Sequence, residues 1–117
     1  MKYFNFHEFD SPDKPGSGHN MDEEFLEILD CAREEAEIPF KITSGFRTKE
    51  HNNSVGGVEN SSHLKGCAAD ISCTSSPQRS IIVRALINVG FTRLGIAKTF
   101  IHVDNDPDKS DAIWLYS

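Results

Sequence analysis

The sequence predicts an α+β fold in which an antiparallel sheet packs on one side against helices. Apolar residues recur at helical spacing in two segments, and short alternating or apolar segments lie between and after them. The short turn at residues 97–99 favours an antiparallel hairpin between two of the last strands. At 117 residues the chain suits one domain, so residues 1–117 are expected to fold as a single unit.

Turn-forming residues dominate the first twenty positions, so we expect residues 1–20 to form an irregular arm. The first long helix is predicted from Asp22 to Glu37, because apolar residues recur there at spacings of three and four and acidic residues occupy its first turn. Pro39 ends this helix, since proline lacks the backbone donor that a helix needs. Four aromatic residues are expected to hold the arm against the core: Tyr3, Phe4, Phe6 and Phe9.

Later segments supply two more helices and five strands. A short helix is predicted at residues 48–55, capped by its first threonine, and a polar loop follows at residues 59–66. A second long helix is predicted at residues 77–89, with proline at its start and Gly90 at its end. The strands are predicted at residues 40–44, 67–72, 91–96, 100–104 and 112–116.

The acidic balance of the chain argues against nucleic acid as a partner. Its formal net charge is −6, from 18 acidic and 12 basic residues. A nucleic-acid binder neutralises phosphates with a clustered basic face, whereas the basic residues here are scattered. We therefore expect neither nucleic acid nor an anionic membrane surface as a partner. No apolar run approaches the ~18 residues that a membrane span needs, so membrane insertion is not expected.

The three cysteines, Cys31, Cys67 and Cys73, are interpreted as free thiols in a reducing compartment. At least one of them cannot pair within the chain, and the sequence contains no CxxC motif. The first residues lack the apolar core of a secretion signal. We therefore expect synthesis in the cytoplasm without export by the usual route.

Histidine and aspartate residues occupy positions from which they can converge on a metal ion. His63 lies in the polar loop, Asp70 follows in a strand of small residues, and His102 lies in the middle of a later strand. Two neutral imidazoles and one carboxylate leave a fourth zinc position open, as in a zinc hydrolase. The sequence contains no HExxH, which excludes a helix-borne zinc site of that type. The alternative is that both histidines are ordinary hydrogen-bonded core residues.

Four blocks of the sequence resemble, in the same order, the motifs of the M15 peptidases. This family includes zinc D-alanyl-D-alanine carboxypeptidases and peptidoglycan endopeptidases, phage endolysins among them, and its fold is related to that of hedgehog-type domains. The similarity extends from Phe40 to Asp104, and the N-terminal arm is similar to the small single-domain branch of the family. The blocks are Ser44–Thr48, His51–Gly57, Ser62–Ile71 and Phe100–Asp104.

The resemblance implies a zinc ion held by His63, Asp70 and His102. It implies hydrolysis of peptide bonds in peptidoglycan stem peptides, of the D-Ala-D-Ala carboxypeptidase or endopeptidase type, with a zinc-activated water attacking the carbonyl. Two other classes stay open: a zinc-binding peptidoglycan recognition module without turnover, and a metal-free structural domain. The implied substrate places the site of action in the cell wall or periplasm, reached with a holin if the protein is of phage origin.

The resemblance also implies roles for three residues around the metal. Arg47 is expected to act in catalysis and substrate binding, by contacting the substrate carboxylate or the scissile carbonyl. The alternative for Arg47 is a surface ion pair with Glu50 or Glu59. Ser62 either hydrogen-bonds the substrate or closes a turn. His51 either contacts the substrate or braces the loop that carries Arg47.

One departure from the family pattern concerns the catalytic base. Family members commonly carry an acid a few residues before the last zinc ligand, and the stretch 96–101 contains no carboxylate and no histidine. Asp104 is the nearest acid, and strand alternation places it on the same face as His102. Asp104 is therefore the candidate catalytic base. Its alternatives are a residue that orients an imidazole and a surface residue at a strand end.

Overall fold

The computed structural model describes residues 1–116, which form a five-stranded sheet and three α-helices. None of these helices is both long enough and apolar enough to cross a membrane. The helices are α1 (Glu23–Ala36), α2 (Lys49–Ser54) and α3 (Ser76–Asn88). The strands are β1 (Ile42–Ser44), β2 (Ala68–Ser72), β3 (Arg93–Ile96), β4 (Phe100–Asp104) and β5 (Ala112–Leu115). The predicted α+β class is confirmed.

Local sequence signals set the ends of the two long helices. The side chain of Asp22 accepts a hydrogen bond from Phe25 N at 2.9 Å at the start of α1. Ser75 Oγ caps α3 in the same way, accepting from the backbone N–H of Gln78 at 3.3 Å. The helix α1 ends where Glu37 adopts a left-handed conformation with φ of 58°. The helices α1 and α3 pack against each other beside the sheet.

The strand order in the sheet is β1-β2-β4-β3-β5. Neighbouring strands run antiparallel except for β3 and β5, which are parallel. The expectation of a wholly antiparallel sheet is corrected at this one pair. The chain leaves β4 at the end of the sheet where β3 begins, and β5 then starts beside Arg93 on the outer edge of β3. The strands β3 and β5 therefore run in the same direction.

The two faces of the sheet serve different purposes, because successive side chains of a strand point to opposite sides. One face carries fully buried apolar residues that pack with those of α1 and α3 into the core: Ala69, Ile71, Leu94, Ile101 and Val103. The opposite face carries one row of paired neighbours across all five strands: Ser44, Asp70, His102, Gly95 and Trp114. This row contains two of the three predicted metal ligands.

The arm is anchored to the core by aromatic packing and by backbone hydrogen bonds. Phe4 and Phe9 are buried, and their rings meet edge to face with 5.5 Å between centroids. The carboxylate of Asp30 on α1 accepts the backbone N–H groups of residues 2–3, both at 2.8 Å. Tyr3, also expected to hold the arm against the core, is exposed, and its ring lies under Arg33 of α1, 4.4 Å from the guanidinium carbon to the ring centroid.

Candidate metal centre

Three side chains from three separate segments converge on one point. His63 lies on a 3-10 turn at Ser62–Lys65, Asp70 lies on β2, and His102 lies directly opposite Asp70 on β4. One potential ligand atom from each residue lies within 4.8 Å of those from the other two, and all three residues are buried. The structure thus brings together the three residues predicted to hold a metal.

The segment predicted as a polar loop forms the 3-10 turn that carries His63. Ser61 caps the turn by accepting the backbone N–H of His63 at 3.3 Å. Gly66 ends the turn with φ of +73°, and a Cβ there would lie 2.4 Å from Asn20 O. Only glycine therefore fits where the turn passes this close to the arm.

Each histidine directs one ring nitrogen at Asp70 and uses the other in a hydrogen bond. His63 Nδ1 lies 2.7 Å from the carbonyl oxygen of Gly45. Because a carbonyl only accepts, Nδ1 carries a proton and donates to it, which leaves Nε2 facing the site, 3.4 Å from Asp70 Oδ1. His102 Nε2 lies 2.7 Å from Asp104 Oδ2, and its Nδ1 lies 2.9 Å from Asp70 Oδ1. A partner that fixes the tautomer is the usual support of a metal-ligating histidine.

Charge in this group is stabilised against the cost of burial. Burial by itself would raise the pKa of Asp70. Hydrogen bonds with His102 and His63 outweigh this effect and hold the pKa well below its usual range. Burial by itself would lower the pKa of His102. Hydrogen bonds to Asp104 and Asp70 outweigh this effect, so the pKa is raised. Asp70 is therefore a carboxylate, ready to act as a ligand.

Asp104 is buried and uses both of its oxygens. Its side chain is 1 % exposed, so the interpretation of Asp104 as a surface residue is wrong. Its Oδ2 bonds His102, while its Oδ1 accepts from Arg93 Nε at 2.7 Å and from the backbone of Asp106 at 3.1 Å. Burial alone would raise the pKa of Asp104, but the hydrogen bonds from His102 and Arg93 lower it.

Arg47 points into the site and away from the two glutamates considered as its surface partners. Its NH2 lies 3.8 Å from Asp70 Oδ2, and within the described chain it forms no ion pair with Glu50 or Glu59. Its Nε donates to Ser44 Oγ at 3.2 Å, and its backbone N–H donates to His63 O at 3.1 Å. The segment after β1 therefore connects directly to the turn that carries His63.

Ser62 links that turn to the loop that follows β4. Its buried hydroxyl donates to Asp106 Oδ2 at 2.7 Å and accepts from Lys109 Nζ at 2.9 Å. Asp106 is buried, and Lys65 Nζ lies 2.8 Å from its Oδ1. Burial by itself would raise the pKa of Asp106. The hydrogen bonds from Lys65 and Ser62 outweigh this effect, so the pKa is lowered. Ser62 also lines the cavity over the metal centre, so its substrate-binding role stays a prediction.

His51 and its neighbour Asn52 lie on α2 and differ in their surroundings. Asn52 is buried, donates to Val58 O at 2.9 Å and accepts from Arg47 NH1 at 3.2 Å. Asn52 thus braces the arginine. His51 is not among the described residues that line the cavity, and its role in substrate binding stays a prediction.

An open cavity of about 410 Å³ exposes the metal centre to solvent. One wall is aromatic, formed by Phe100, Trp114 and Tyr116. The Trp114 ring lies 5.5 Å from that of His102, between centroids, and occupies the space over Gly95. A Cβ on Gly95 would lie 2.7 Å from Trp114 Nε1. The cavity is also lined by three cationic side chains: Arg47, Arg93 and Lys109.

Four residues of the site carry no predicted role: Gly95, Arg93, Lys109 and Trp114. A signal existed for Trp114, which is the only tryptophan and lies in a predicted strand. The parallel pairing that places β5 beside Gly95 is a long-range feature, and no local pattern in the sequence marks it.

The donor set fits a divalent metal ion such as zinc. Two imidazole nitrogens and one carboxylate oxygen form the ligand set of a catalytic zinc site, and the two nitrogens are oriented by Gly45 and Asp104. No curated protein matches the sequence. The family model described as Peptidase M15 matches residues 4–104, which include most of the arm, the three converging residues and Arg47. The match covers most of the chain, which therefore belongs to the M15 peptidase family.

Proposed function

We propose that this protein is a zinc-dependent peptidase that hydrolyses peptide bonds in peptidoglycan stem peptides. The observation that carries the proposal is the buried group of His63, Asp70 and His102 at an open cavity that Arg47 also lines. Family membership supports the peptidase class. The cell wall is then the proposed site of action, reached through a holin if the protein acts in a phage.

His63 Nε2, the Asp70 carboxylate and His102 Nδ1 would hold the zinc ion. When bound, zinc supplies Lewis-acid chemistry: it polarises the scissile carbonyl and lowers the pKa of a water molecule toward ~7. Gly45 O and Asp104 each bond the ring nitrogen that the metal would not use, so the other nitrogen of each imidazole faces Asp70 and the site. The protein residues thus hold the ligand set ready before the metal arrives.

Arg47 binds the anionic part of the substrate in this proposal. Its guanidinium is braced by Ser44 and Asn52 and lies beside Asp70 at the cavity. A braced guanidinium presents its remaining N–H groups in a fixed direction, which suits a substrate carboxylate or the oxygen of a scissile carbonyl on which negative charge develops.

Asp104 acts in this proposal by orienting His102. Both of its oxygens already accept hydrogen bonds, from His102, Arg93 and the backbone of Asp106. To act as the base, Asp104 would have to give up one of them. Asp70 is the only other acid among the described residues that line the cavity.

This scarcity of acids favours a second candidate function, a zinc-binding recognition module without turnover. Such a module would use the same residues and the same cavity to bind a stem peptide. The two candidates differ in one observable, the appearance of a cleavage product.

The test is incubation of zinc-loaded protein with purified muropeptides, with products identified by mass spectrometry beside a chelated sample. Release of a terminal alanine would identify a carboxypeptidase, and a cut within the stem an endopeptidase. We expect chelation to prevent either product. No product, with one zinc bound per chain and a peptide bound, would instead support the recognition module.

The His63→Ala variant should lose both zinc binding and cleavage, because it removes one of three metal ligands. His7→Ala is the matched control, since His7 is an exposed histidine on the arm. Zinc content is measured by elemental analysis of protein purified without chelator. Cleavage that survives in His63→Ala, or a wild-type protein that binds no zinc, would defeat the proposal.

A further inference from the structure

We propose that the N-terminal arm is a positioning element of the metal centre. It acts through the arginine segment, residues 45–48, which it holds at both ends. A role of the arm in catalysis depends on the proposed function, whereas its role in orienting His63 does not. The contacts that carry it belong to the arm, the arginine segment and His63.

The arm holds the first end of the arginine segment by backbone contact. Phe46 N donates to Phe9 O at 2.8 Å. A Cβ added to Gly45 would lie 2.6 Å from Phe9 Cα, so the two chains touch with no room for a side chain. Phe9 is itself fully buried in the core, which gives Gly45 a fixed support.

Two polar side chains of the arm hold the other end. Ser11 Oγ accepts from Thr48 N at 3.2 Å, and Asp13 Oδ2 accepts from Thr48 Oγ1 at 2.6 Å. Ser11 also donates to Asp13 Oδ1 at 2.5 Å. Asp13 has a lowered pKa because Ser11 and Thr48 donate hydrogen bonds to its carboxylate.

Between these two ends, the arginine segment makes its contacts with the metal centre. Gly45 O accepts a hydrogen bond from His63 Nδ1, and Arg47 N donates to His63 O. The Arg47 side chain reaches Asp70. If the segment shifts, the Nδ1 proton of His63 loses its acceptor, and Nε2 is no longer the only nitrogen free to bind a metal. The arm therefore determines which nitrogen of His63 faces the site.

The test compares Ser11→Ala and Asp13→Ala with Glu8→Ala in the full chain. Glu8 is an exposed acid of the arm that bonds Asn5 N and does not contact the arginine segment. Zinc affinity is measured by competition with a chromophoric chelator. We expect affinity about tenfold weaker in Ser11→Ala and Asp13→Ala, as for other groups that orient metal ligands. Glu8→Ala should stay within about twofold of the wild type, the ordinary effect of a surface change.

A second measurement follows the His63 ring in metal-free protein by ¹H–¹⁵N correlation NMR. The wild type and Glu8→Ala should show the Nδ1–H tautomer alone, whereas Ser11→Ala and Asp13→Ala should show a mixture. A variant that merely lowers stability would leave this tautomer unchanged in its folded fraction. If Ser11→Ala fails to fold, Asp13→Ala alone tests the inference, because Asp13 is exposed and its replacement leaves the core intact.

Unchanged zinc affinity together with a pure Nδ1–H tautomer in Asp13→Ala would overturn the inference. Failure of the proposed function gives a different result. A protein that cleaves no muropeptide, or binds no zinc, still reports the His63 tautomer. A tautomer shift in the variants then supports the positioning role, and its absence refutes it.

Discussion

At the scale of single residues, Asp104 shows how one carboxylate connects two parts of the site. One oxygen orients His102, and the other holds Arg93, whose guanidinium in turn lies 4.9 Å from the centre of the Trp114 ring. Asp104 thus joins His102 on β4 to the aromatic wall on β5. The sequence is compatible with Asp104 as a base, an orienting group or a surface residue, and its burial excludes the last of these.

Replacing Asp104 by asparagine should weaken zinc binding by about 10–100-fold, the typical effect of losing a group that orients a metal-ligating histidine. The amide keeps the shape of the side chain but lacks the negative charge with which Asp104 bonds both His102 and Arg93. Zinc affinity is measured by chelator competition, and Asp111→Asn, at an exposed position, is the control. An Asp104→Asn variant with wild-type affinity but no cleavage would instead identify Asp104 as the base.

At the scale of elements, the pairing of β3 with β5 shapes the cavity. Gly95 on β3 lies between His102 on β4 and Trp114 on β5, and its missing side chain leaves room for the indole. The position needs no unusual backbone conformation, since its φ is not positive. Glycine is required there for space and not for backbone freedom.

Gly95→Ala should therefore fold but displace the aromatic wall. Its Cβ would lie 2.6 Å from Tyr116 Cε2 and 2.7 Å from Trp114 Nε1, so both rings must move. Because Trp114 is the only tryptophan, a shift of the intrinsic fluorescence to longer wavelength reports the movement directly. We expect KM to rise about tenfold with less change in kcat. Lys98→Ala, in the exposed turn between β3 and β4, is the control, and unchanged fluorescence in Gly95→Ala would contradict this account.

At the scale of the whole molecule, Asp106 ties together segments that are more than forty residues apart in the sequence. Its carboxylate accepts from Ser62 and Lys65 on the 3-10 turn, and its own backbone N–H donates to Asp104. The folded state lowers the pKa of Asp106, so its contribution to stability is present above the unfolded value of about 3.9. That contribution is lost as the pH falls through the lower, folded value.

The free energy of unfolding should consequently decrease as the pH falls from about 5 to about 2, and Asp106→Asn should flatten this decrease. At pH 7 the variant should be less stable by about 2 kcal/mol, the typical cost of losing hydrogen bonds to a buried charge. Urea denaturation of metal-free protein measures both effects. Asp108→Asn is the matched control, because Asp108 also bonds Lys65 but is exposed. A decrease of equal steepness in wild type and Asp106→Asn would assign the acid sensitivity to other carboxylates.

The sequence by itself determined the α+β class, both long helices and the five strands, which rest on local signals: apolar spacing and caps at Asp22 and Ser75. The three candidate metal ligands rest on the resemblance of four sequence blocks to the M15 motifs. Strand alternation also placed Asp104 on the face of His102, because successive side chains of a strand alternate regardless of its partners.

Apart from the hairpin of β3 and β4, which the short turn predicted, only the tertiary structure decided which strands are neighbours and which distant side chains meet. The parallel run of β5 beside β3, the fit of Trp114 over Gly95 and the support of Gly45 by Phe9 each join residues far apart in sequence. Such contacts depend on how the whole core packs and on which buried polar groups find partners. Local propensity carries no information about them. The candidate metal ligands, and Asp104 as a group that orients an imidazole, were therefore open to prediction from the sequence, while the contacts of Gly45 O and Arg93 were not.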